Sequence, residues 1–233
     1  LGVIIFFLLL RLCRFYEGNY WIFFGSFLVS FFFIEAVIVR QFISSALLAF
    51  AFVFISDNRD SLNRFKSLSF LTLSFSMHVS SFLGYFYYIA EKIELKKLYI
   101  AAAIGLTLSF PLTNFILPFL TRLLGAKFAL YTNSTNNSFV SFVAKAIFIL
   151  VTVLLFQMIY SYVLKYESYF NTKQIKLAEL SLKSTLINGL SIPLMAINIS
   201  FERLLIVPVF IYLATIAFFF GKKTPLTNNK LII

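Results

Sequence analysis

Long apolar runs constrain this sequence more than any other feature, because each approaches or exceeds the ~20 residues that a helix needs to cross a bilayer. The clearest runs are WIFFGSFLVSFFFIEAVIV, FVSFVAKAIFILVTVLLFQMIYSYVL and LLIVPVFIYLATIAFFF. Charged residues make up 12% of the chain, against about 25% in a typical soluble domain. The strands of a transmembrane barrel would alternate apolar and polar residues, and these runs do not. The sequence therefore predicts an all-α, polytopic integral membrane helical bundle.

Composition also bears on the kinds of site that the chain can carry. Its single cysteine, Cys13, cannot form an intramolecular disulfide. With one histidine, one cysteine and 9 scattered carboxylates, we predict no metal site and no cofactor. The net charge of +11 lies mainly between the apolar runs, where the positive-inside rule accounts for it. We therefore expect no nucleic-acid partner.

The distribution of the basic residues predicts how the chain crosses the membrane. If the segment 67–90 forms a hairpin that goes up and back, so that it enters and leaves the membrane on the same side, most of the 20 lysines and arginines fall on the cytoplasmic side. If it crosses once, every later loop changes side and the inner count falls. Because cytoplasmic loops are enriched in basic residues, the up-and-back path is favoured. We predict about seven or eight membrane segments, including a short hairpin around residues 62–95.

The other spans follow from this choice. They are expected at about residues 20–38, 41–56, 99–121, 139–164, 180–198 and 204–220, with an outer loop at 125–138 and an inner loop at 165–176. We assign residues 1–233 to a single transmembrane domain. The chain opens on half of a hydrophobic helix, so we expect it to be the C-terminal portion of a longer protein.

This topology brings three polar residues to the same membrane depth. His78 lies at the tip of the hairpin, Arg40 at the outer turn before the third segment, and Arg203 at the outer end of the last span. Ionisable residues are costly in membrane segments, and they usually face the protein interior or a watery cavity. We therefore expect these three residues to share a pocket near the outer face.

The chemistry of these groups indicates a phosphate site. Two guanidinium groups can hold a pyrophosphate by bidentate, charge-assisted hydrogen bonds and stabilise its charge as it leaves, without a metal. An imidazole can take a proton from a hydroxyl near neutral pH. The alternatives are that Arg40 and Arg203 anchor the helices by reaching to lipid headgroups, and that His78 is a hydrogen-bonded packing residue.

Two motifs resemble a known family. The pair Arg40-Gln41 opens the run VRQFISSALLAFAFVFI, and the run FLTLSFSMHVSSFLGYFYYI follows with His78 inside it. In order and spacing they resemble the EpsG family of exopolysaccharide proteins, in which an Arg-Gln pair opens a span and a Phe-His-x-Ser-Ala motif follows. Here Met77 stands where phenylalanine is usual, and Ser81 where alanine is usual.

The resemblance extends to the last span and to the outer loop. Arg203 matches an arginine near the start of the family's final span, and Tyr131 matches a tyrosine of the outer loop. The resemblance implies that the pyrophosphate is bound by Arg40, Gln41, Tyr131 and Arg203. It implies that His78 is the base or orients a hydroxyl, with Glu202 as the second candidate for the base.

The family likeness implies a Wzy-type polysaccharide polymerase, a glycosyltransferase-type enzyme that extends O-antigen, capsule or exopolysaccharide chains. It would join oligosaccharide repeats linked to undecaprenyl pyrophosphate at the outer face of the bacterial inner membrane. Its implied partners are the lipid-linked oligosaccharide, membrane lipids and other polysaccharide-assembly membrane proteins. Family members carry a further N-terminal stretch, which leaves open whether these 233 residues are active alone.

Other functions compete with this one. A transporter or flippase of lipid-linked oligosaccharides would carry polar groups along a path through the bilayer and often show paired repeats. A glycan-modifying membrane acyltransferase also uses a lone histidine, and a non-catalytic assembly subunit needs none. Because the intramembrane charges gather toward one face and no repeat is evident, the sequence favours chemistry at that face.

Overall fold

The chain folds into a bundle of helices in a computed structural model that describes residues 2–33, 39–56, 61–111, 139–190, 192 and 203–221. Every regular element within these ranges is helical. The helices are α1 (Gly2–Phe15), α2 (Tyr20–Phe33), α3 (Val39–Ser56), α4 (Ser61–Met77), α5 (Leu83–Ala90), α6 (Leu95–Pro111), α7 (Phe139–Lys165), α8 (Thr172–Gly189), α9 (Arg203–Ile206) and α10 (Val209–Gly221). A 3-10 turn, Val79–Phe82, joins α4 to α5.

One helix in the described part of the chain is long and apolar enough to span a bilayer. It is the stretch Ala146–Lys165 of α7, and only 22% of it is buried inside the bundle. Its exposed apolar side chains include Ile147, Phe148, Leu150, Val151, Leu154 and Met158. A continuous apolar face of this kind suits contact with lipid or another protein. Two shorter apolar helices are Gln41–Ile55 and Val209–Gly221, and the number of membrane crossings stays a prediction.

The apolar runs predicted helix positions well where the structure describes them. The segment expected at 41–56 is α3, Val39–Ser56, and the segment expected at 139–164 is α7, Phe139–Lys165. Helix α6, Leu95–Pro111, covers the first part of the segment expected at 99–121. The expected outer loop at 125–138 lies outside the described residues.

The chain reverses direction at His78. The hydroxyls of Thr72 in α4 and Tyr85 in α5 lie 3.0 Å apart, whereas a continuous helix would separate them by about 20 Å. The rings of Phe75 and Tyr85 also pack edge to face. The up-and-back course of this segment is therefore observed, although its legs are unequal, because α4 is 17 residues long and α5 is 8.

The two ends of the hairpin lie at the end of the bundle where α3 finishes. Ile55 of α3 and Glu91, just after α5, line one small cavity together with Lys183 of α8. The Lys183 ammonium donates to the carbonyl of Glu91 over 3.0 Å. A single crossing would have placed Ile55 and Glu91 at opposite ends. We expect this shared end to face the cytoplasm.

Helix α8 begins earlier than the sequence indicated. A span was expected from about residue 180, whereas the helix starts at Thr172. A capping box precedes it: the Asn171 side chain accepts a hydrogen bond from the Gln174 backbone N–H, and the Gln174 side chain accepts one from the Asn171 backbone N–H. Such a pair satisfies two of the free N–H groups at a helix start. The expectation was wrong because the first turns of α8 are polar and pack against protein, so apolarity alone did not reveal them.

Lys183 is a buried residue of α8. Its side chain is 3% exposed, and its ammonium lies 2.7 Å from a Glu179 carboxylate oxygen. A buried charge is tolerated when an opposite charge and hydrogen bonds compensate its lost hydration. Together with the hydrogen bond to the Glu91 carbonyl, the Lys183–Glu179 pair connects the end of the hairpin to α8.

Gly84 allows the hairpin to pack closely against α3. A Cβ at this position would overlap Leu48 of α3 and lie 2.9 Å from Cδ2 of Leu71 in α4. We expect Gly84→Ala to lower the free energy of unfolding by about 1–3 kcal/mol, as overpacking of a core does. Thermal unfolding of the full-length protein in detergent measures this. Gly25→Ala is the control, since a Cβ there would meet no atom of the other described residues within 4 Å, apart from its chain neighbours and its own helix backbone. Equal melting temperatures for both variants would contradict the packing argument.

Candidate functional site

His78 forms the reversal between α4 and α5. Helix α4 ends at Met77, and His78 takes an extended conformation (φ −154°, ψ 127°) that caps the following 3-10 turn. Its Nδ1 accepts a hydrogen bond from the Ser80 backbone N–H at 3.2 Å and lies 2.7 Å from the Ser80 hydroxyl oxygen. The imidazole therefore performs the capping role that serine, asparagine or aspartate usually has at a helix start.

These hydrogen bonds determine where the imidazole carries its proton. In a neutral imidazole one ring nitrogen donates and the other accepts, and the bond made by one fixes the role of the other. A backbone N–H can only donate, so Nδ1 of His78 must be the acceptor toward Ser80. We assign the proton to Nε2, which makes this nitrogen a hydrogen-bond donor toward whatever it meets.

A buried serine cluster fastens this turn to α3. The Ser44 hydroxyl donates to the Ser74 carbonyl, and the Ser74 hydroxyl donates to the Ser44 carbonyl, each over 2.7 Å. Ser44 also bonds to the hydroxyl of Ser81 in the 3-10 turn. All three serines are at most 1% exposed. Small hydroxyl residues of this kind let helices approach closely and bond to each other in membrane proteins.

The cluster places the start of α3 beside the His78 turn. Arg40 lies in the first turn of α3 and precedes Ser44 by one helical turn, about 6 Å along the axis. Gln41, the next residue, is buried, with a side chain 1% exposed. The backbone of Arg40 is thus at the same end of the bundle as the 3-10 turn.

The start of the last span reaches the same end. The short helix α9 begins with Arg203 and packs against the 3-10 turn that follows His78. The segments that carry Arg40, His78 and Arg203 therefore meet at one end of the bundle, opposite Glu91 and Lys183. Glu202 and Tyr131 lie outside the described residues. The roles of the predicted site residues stay predictions.

A polar network that sequence reasoning missed lies beneath α9. The Tyr87 hydroxyl donates to Oδ1 of Asn188 over 2.6 Å, and the Ser184 hydroxyl lies 3.4 Å from that of Tyr212. A cavity of about 20 Å³ beside them is lined by Thr152, Thr185, Asn188, Tyr212, Leu205 and two apolar residues of α7. That volume holds about one water molecule. The cavity borders α9 through Leu205, and it is too small for a sugar.

The signal for this network was present in the sequence. Asn188 is an amide in the otherwise apolar stretch LINGL, and such a residue in a buried helix needs a partner. Its partner Tyr87 is far away in sequence, so no local pattern could identify the pair. In the described ranges, no three His, Cys, Asp or Glu side chains come together as a metal site would require.

An all-helical bundle with a long, exposed apolar helix is typical of a helical membrane protein. This chain belongs to the EpsG family, whose family model matches residues 1–233. The family is Wzy-type polymerase-like, and its members are membrane proteins of polysaccharide biosynthesis. No curated protein and no solved structure matches the chain.

Proposed function

We propose that the full-length protein is a polysaccharide polymerase that joins oligosaccharide repeats linked to a lipid pyrophosphate, at the outer face of the bacterial inner membrane. The observation that carries this proposal is the meeting of three segments at one end of the bundle: the start of α3, the His78 turn and α9. In a family of polysaccharide biosynthesis, that end is a reasonable place for a pyrophosphate-linked glycan.

In the proposed reaction, Arg40 and Arg203 hold the pyrophosphate of the growing chain. A hydroxyl oxygen of the next lipid-linked repeat forms a bond to the anomeric carbon, and the bond from that carbon to the pyrophosphate oxygen breaks. The lipid pyrophosphate leaves with the bonding electron pair, and the two guanidinium groups stabilise the charge that develops on it. No nucleotide sugar takes part.

The tautomer of His78 refines its proposed role. Because Nδ1 accepts from Ser80, Nε2 already carries a proton and cannot accept one from the attacking hydroxyl. We assign Nε2–H a hydrogen bond to the departing pyrophosphate oxygen, and we assign the hydroxyl proton to the Glu202 carboxylate. This supports the second of the two candidate bases that the sequence offered.

The remaining predicted residues would support these groups. Gln41 is buried and follows Arg40 in the chain. Its side chain would hold the start of α3 in place, and it would contact the substrate only if the substrate enters a pocket at that end of the bundle. Tyr131, from the outer loop, would contact the pyrophosphate or the sugar next to it.

One observation favours the flippase alternative. Polar side chains lie in the C-terminal third of α8, from Lys183 through Ser184 and Thr185 to Asn188, and all of them are buried. Each has a hydrogen-bonding partner in the bundle, and the cavities beside them measure only about 20 and 40 Å³. A passage for a lipid-linked oligosaccharide would therefore need a large rearrangement of these helices.

Reconstitution tests the proposed activity directly. Vesicles that contain the purified full-length protein and pyrophosphate-linked repeats, without nucleotide sugar, should produce a ladder of longer glycans and free undecaprenyl pyrophosphate. Empty vesicles are the control. In cells that lack the protein, single repeats should accumulate on the outer leaflet. Accumulation on the cytoplasmic leaflet, or transfer of repeats between leaflets without a ladder, would identify a flippase instead.

A further inference from the structure

A third cavity lies far from His78, between α1, α3 and α4. Its volume is about 210 Å³, and its apolar walls are formed by Leu8, Phe15, Phe50, Val53, Phe54 and Phe70. Arg11 also lines it, and among the residues that the structure describes no carboxylate does. An apolar cavity of about 150 Å³ can already hold a benzene molecule. This cavity can therefore admit several carbons of a hydrocarbon chain.

The cavity extends toward the end of the bundle that carries Glu91 and Lys183. Phe15 is the last residue of α1, and Phe54 lies in the last turn of α3, so both mark the mouth. Leu8 lies seven residues before Phe15, which places it about 10 Å deeper along α1. Since the exposed Arg11 also lines the cavity, we infer an apolar groove that reaches the bundle surface and runs inward from this end.

Three cations from three helices surround the groove. Arg11 of α1 is exposed at its wall. The ammonium of Lys66 in α4 lies 5.6 Å from the centre of the Phe54 ring, and that of Lys173 in α8 lies 4.1 Å from the centre of the Phe15 ring. A cation against an aromatic face is attracted to it. These rings therefore hold two of the positive charges next to the mouth.

We propose that this groove binds one anionic phospholipid of the surrounding membrane. Its phosphate would pair with Arg11, Lys66 and Lys173, and one acyl chain would fill the space between the aromatic walls. Charge complementarity supports this occupant, because basic pockets between transmembrane helices on the cytoplasmic side favour anionic headgroups. The lipid would fill the gap between α1 and α4. The proposal does not depend on the reaction at the other end.

Native mass spectrometry of the full-length protein tests the proposal, with phosphatidylglycerol and the zwitterionic phosphatidylethanolamine as probes. The wild-type protein should retain phosphatidylglycerol selectively. The variant Arg11→Gln/Lys66→Gln/Lys173→Gln should bind it on the order of 100-fold more weakly, since each basic residue near the membrane surface contributes about fivefold. The control, Lys92→Gln/Lys96→Gln/Lys97→Gln, removes the same charge from exposed positions outside the groove and should bind like the wild type.

A second variant distinguishes specific binding of the lipid in the groove from general electrostatic attraction of anionic lipids to the basic surface. Leu8→Trp keeps all three cations and fills the groove, so it should also lose the bound lipid. Equal losses in the two triple variants would overturn the proposal, and so would unchanged binding by Leu8→Trp. Equal binding of the two phospholipids, or preferential retention of a polyprenyl phosphate, would exclude an anionic phospholipid as the occupant.

Discussion

His78→Asn in the full-length protein should reduce the rate of polymer formation by about 100-fold, as loss of one donor to a developing oxyanion does. Asparagine can keep the cap, because its side-chain oxygen can accept from the Ser80 backbone N–H as Nδ1 does. It has no group at the position of Nε2. The measurement is glycan chain growth in reconstituted vesicles, together with a melting temperature close to that of the wild type.

His78→Gln is the matched variant, because its longer amide can place an N–H near the position of Nε2 while it abandons the cap. It should form polymer within about tenfold of the wild-type rate and lose about 1 kcal/mol of stability. If both variants fold and are equally inactive, His78 is the base and the donor role is wrong. If both polymerise normally, the histidine serves only to cap the turn.

Arg203→Ala should reduce chain growth by about 1,000-fold, because the pyrophosphate would then leave with only one of the two guanidinium groups that stabilise its charge. Arg203→Lys should be intermediate, since lysine keeps the charge and loses the bidentate fork. Arg40→Ala should have an effect of similar size. Arg14→Ala, an exposed arginine at the other end of the bundle, is the control and should change the rate by no more than about twofold.

The double variant Arg40→Ala/Arg203→Ala tests whether the two residues act on one group. Residues that act as a unit show non-additive effects, so the double variant should be little worse than either single variant. If the two losses multiply, the arginines bind separate groups and the shared pyrophosphate clamp is wrong. Accumulation of single repeats on the outer leaflet should accompany each inactive variant.

Sequence patterns were sufficient for elements whose environment is lipid or uniform apolar core. The C-terminal end of helix α7 was predicted to within one residue of its observed position at Lys165. A long apolar run predicts such a helix because its own residues determine whether it can span a membrane. The reversal at His78 was also foreseen, from the side on which the basic residues must lie. The start of α8 was missed, although the sequence contains the Asn171–Gln174 pair, whose spacing is typical of a capping box at a helix start.

Only the tertiary structure decided which polar groups meet. The Ser44–Ser74–Ser81 cluster joins three segments, and the bond from Tyr87 to Asn188 joins residues 101 positions apart. Sequence spacing carries no information about such pairs, because they depend on how distant helices pack.

The sequence by itself determined that the chain is helical, that its apolar runs suit a membrane, and which family it belongs to. These properties depend on the composition and order of local stretches, since the tendency of a segment to enter lipid is set largely by its own residues. The tertiary structure decided the geometry of the His78 turn, the burial of Lys183 and the shape of the groove beside Arg11. Those features arise from contacts between segments that are far apart in the chain, and packing alone brings them together.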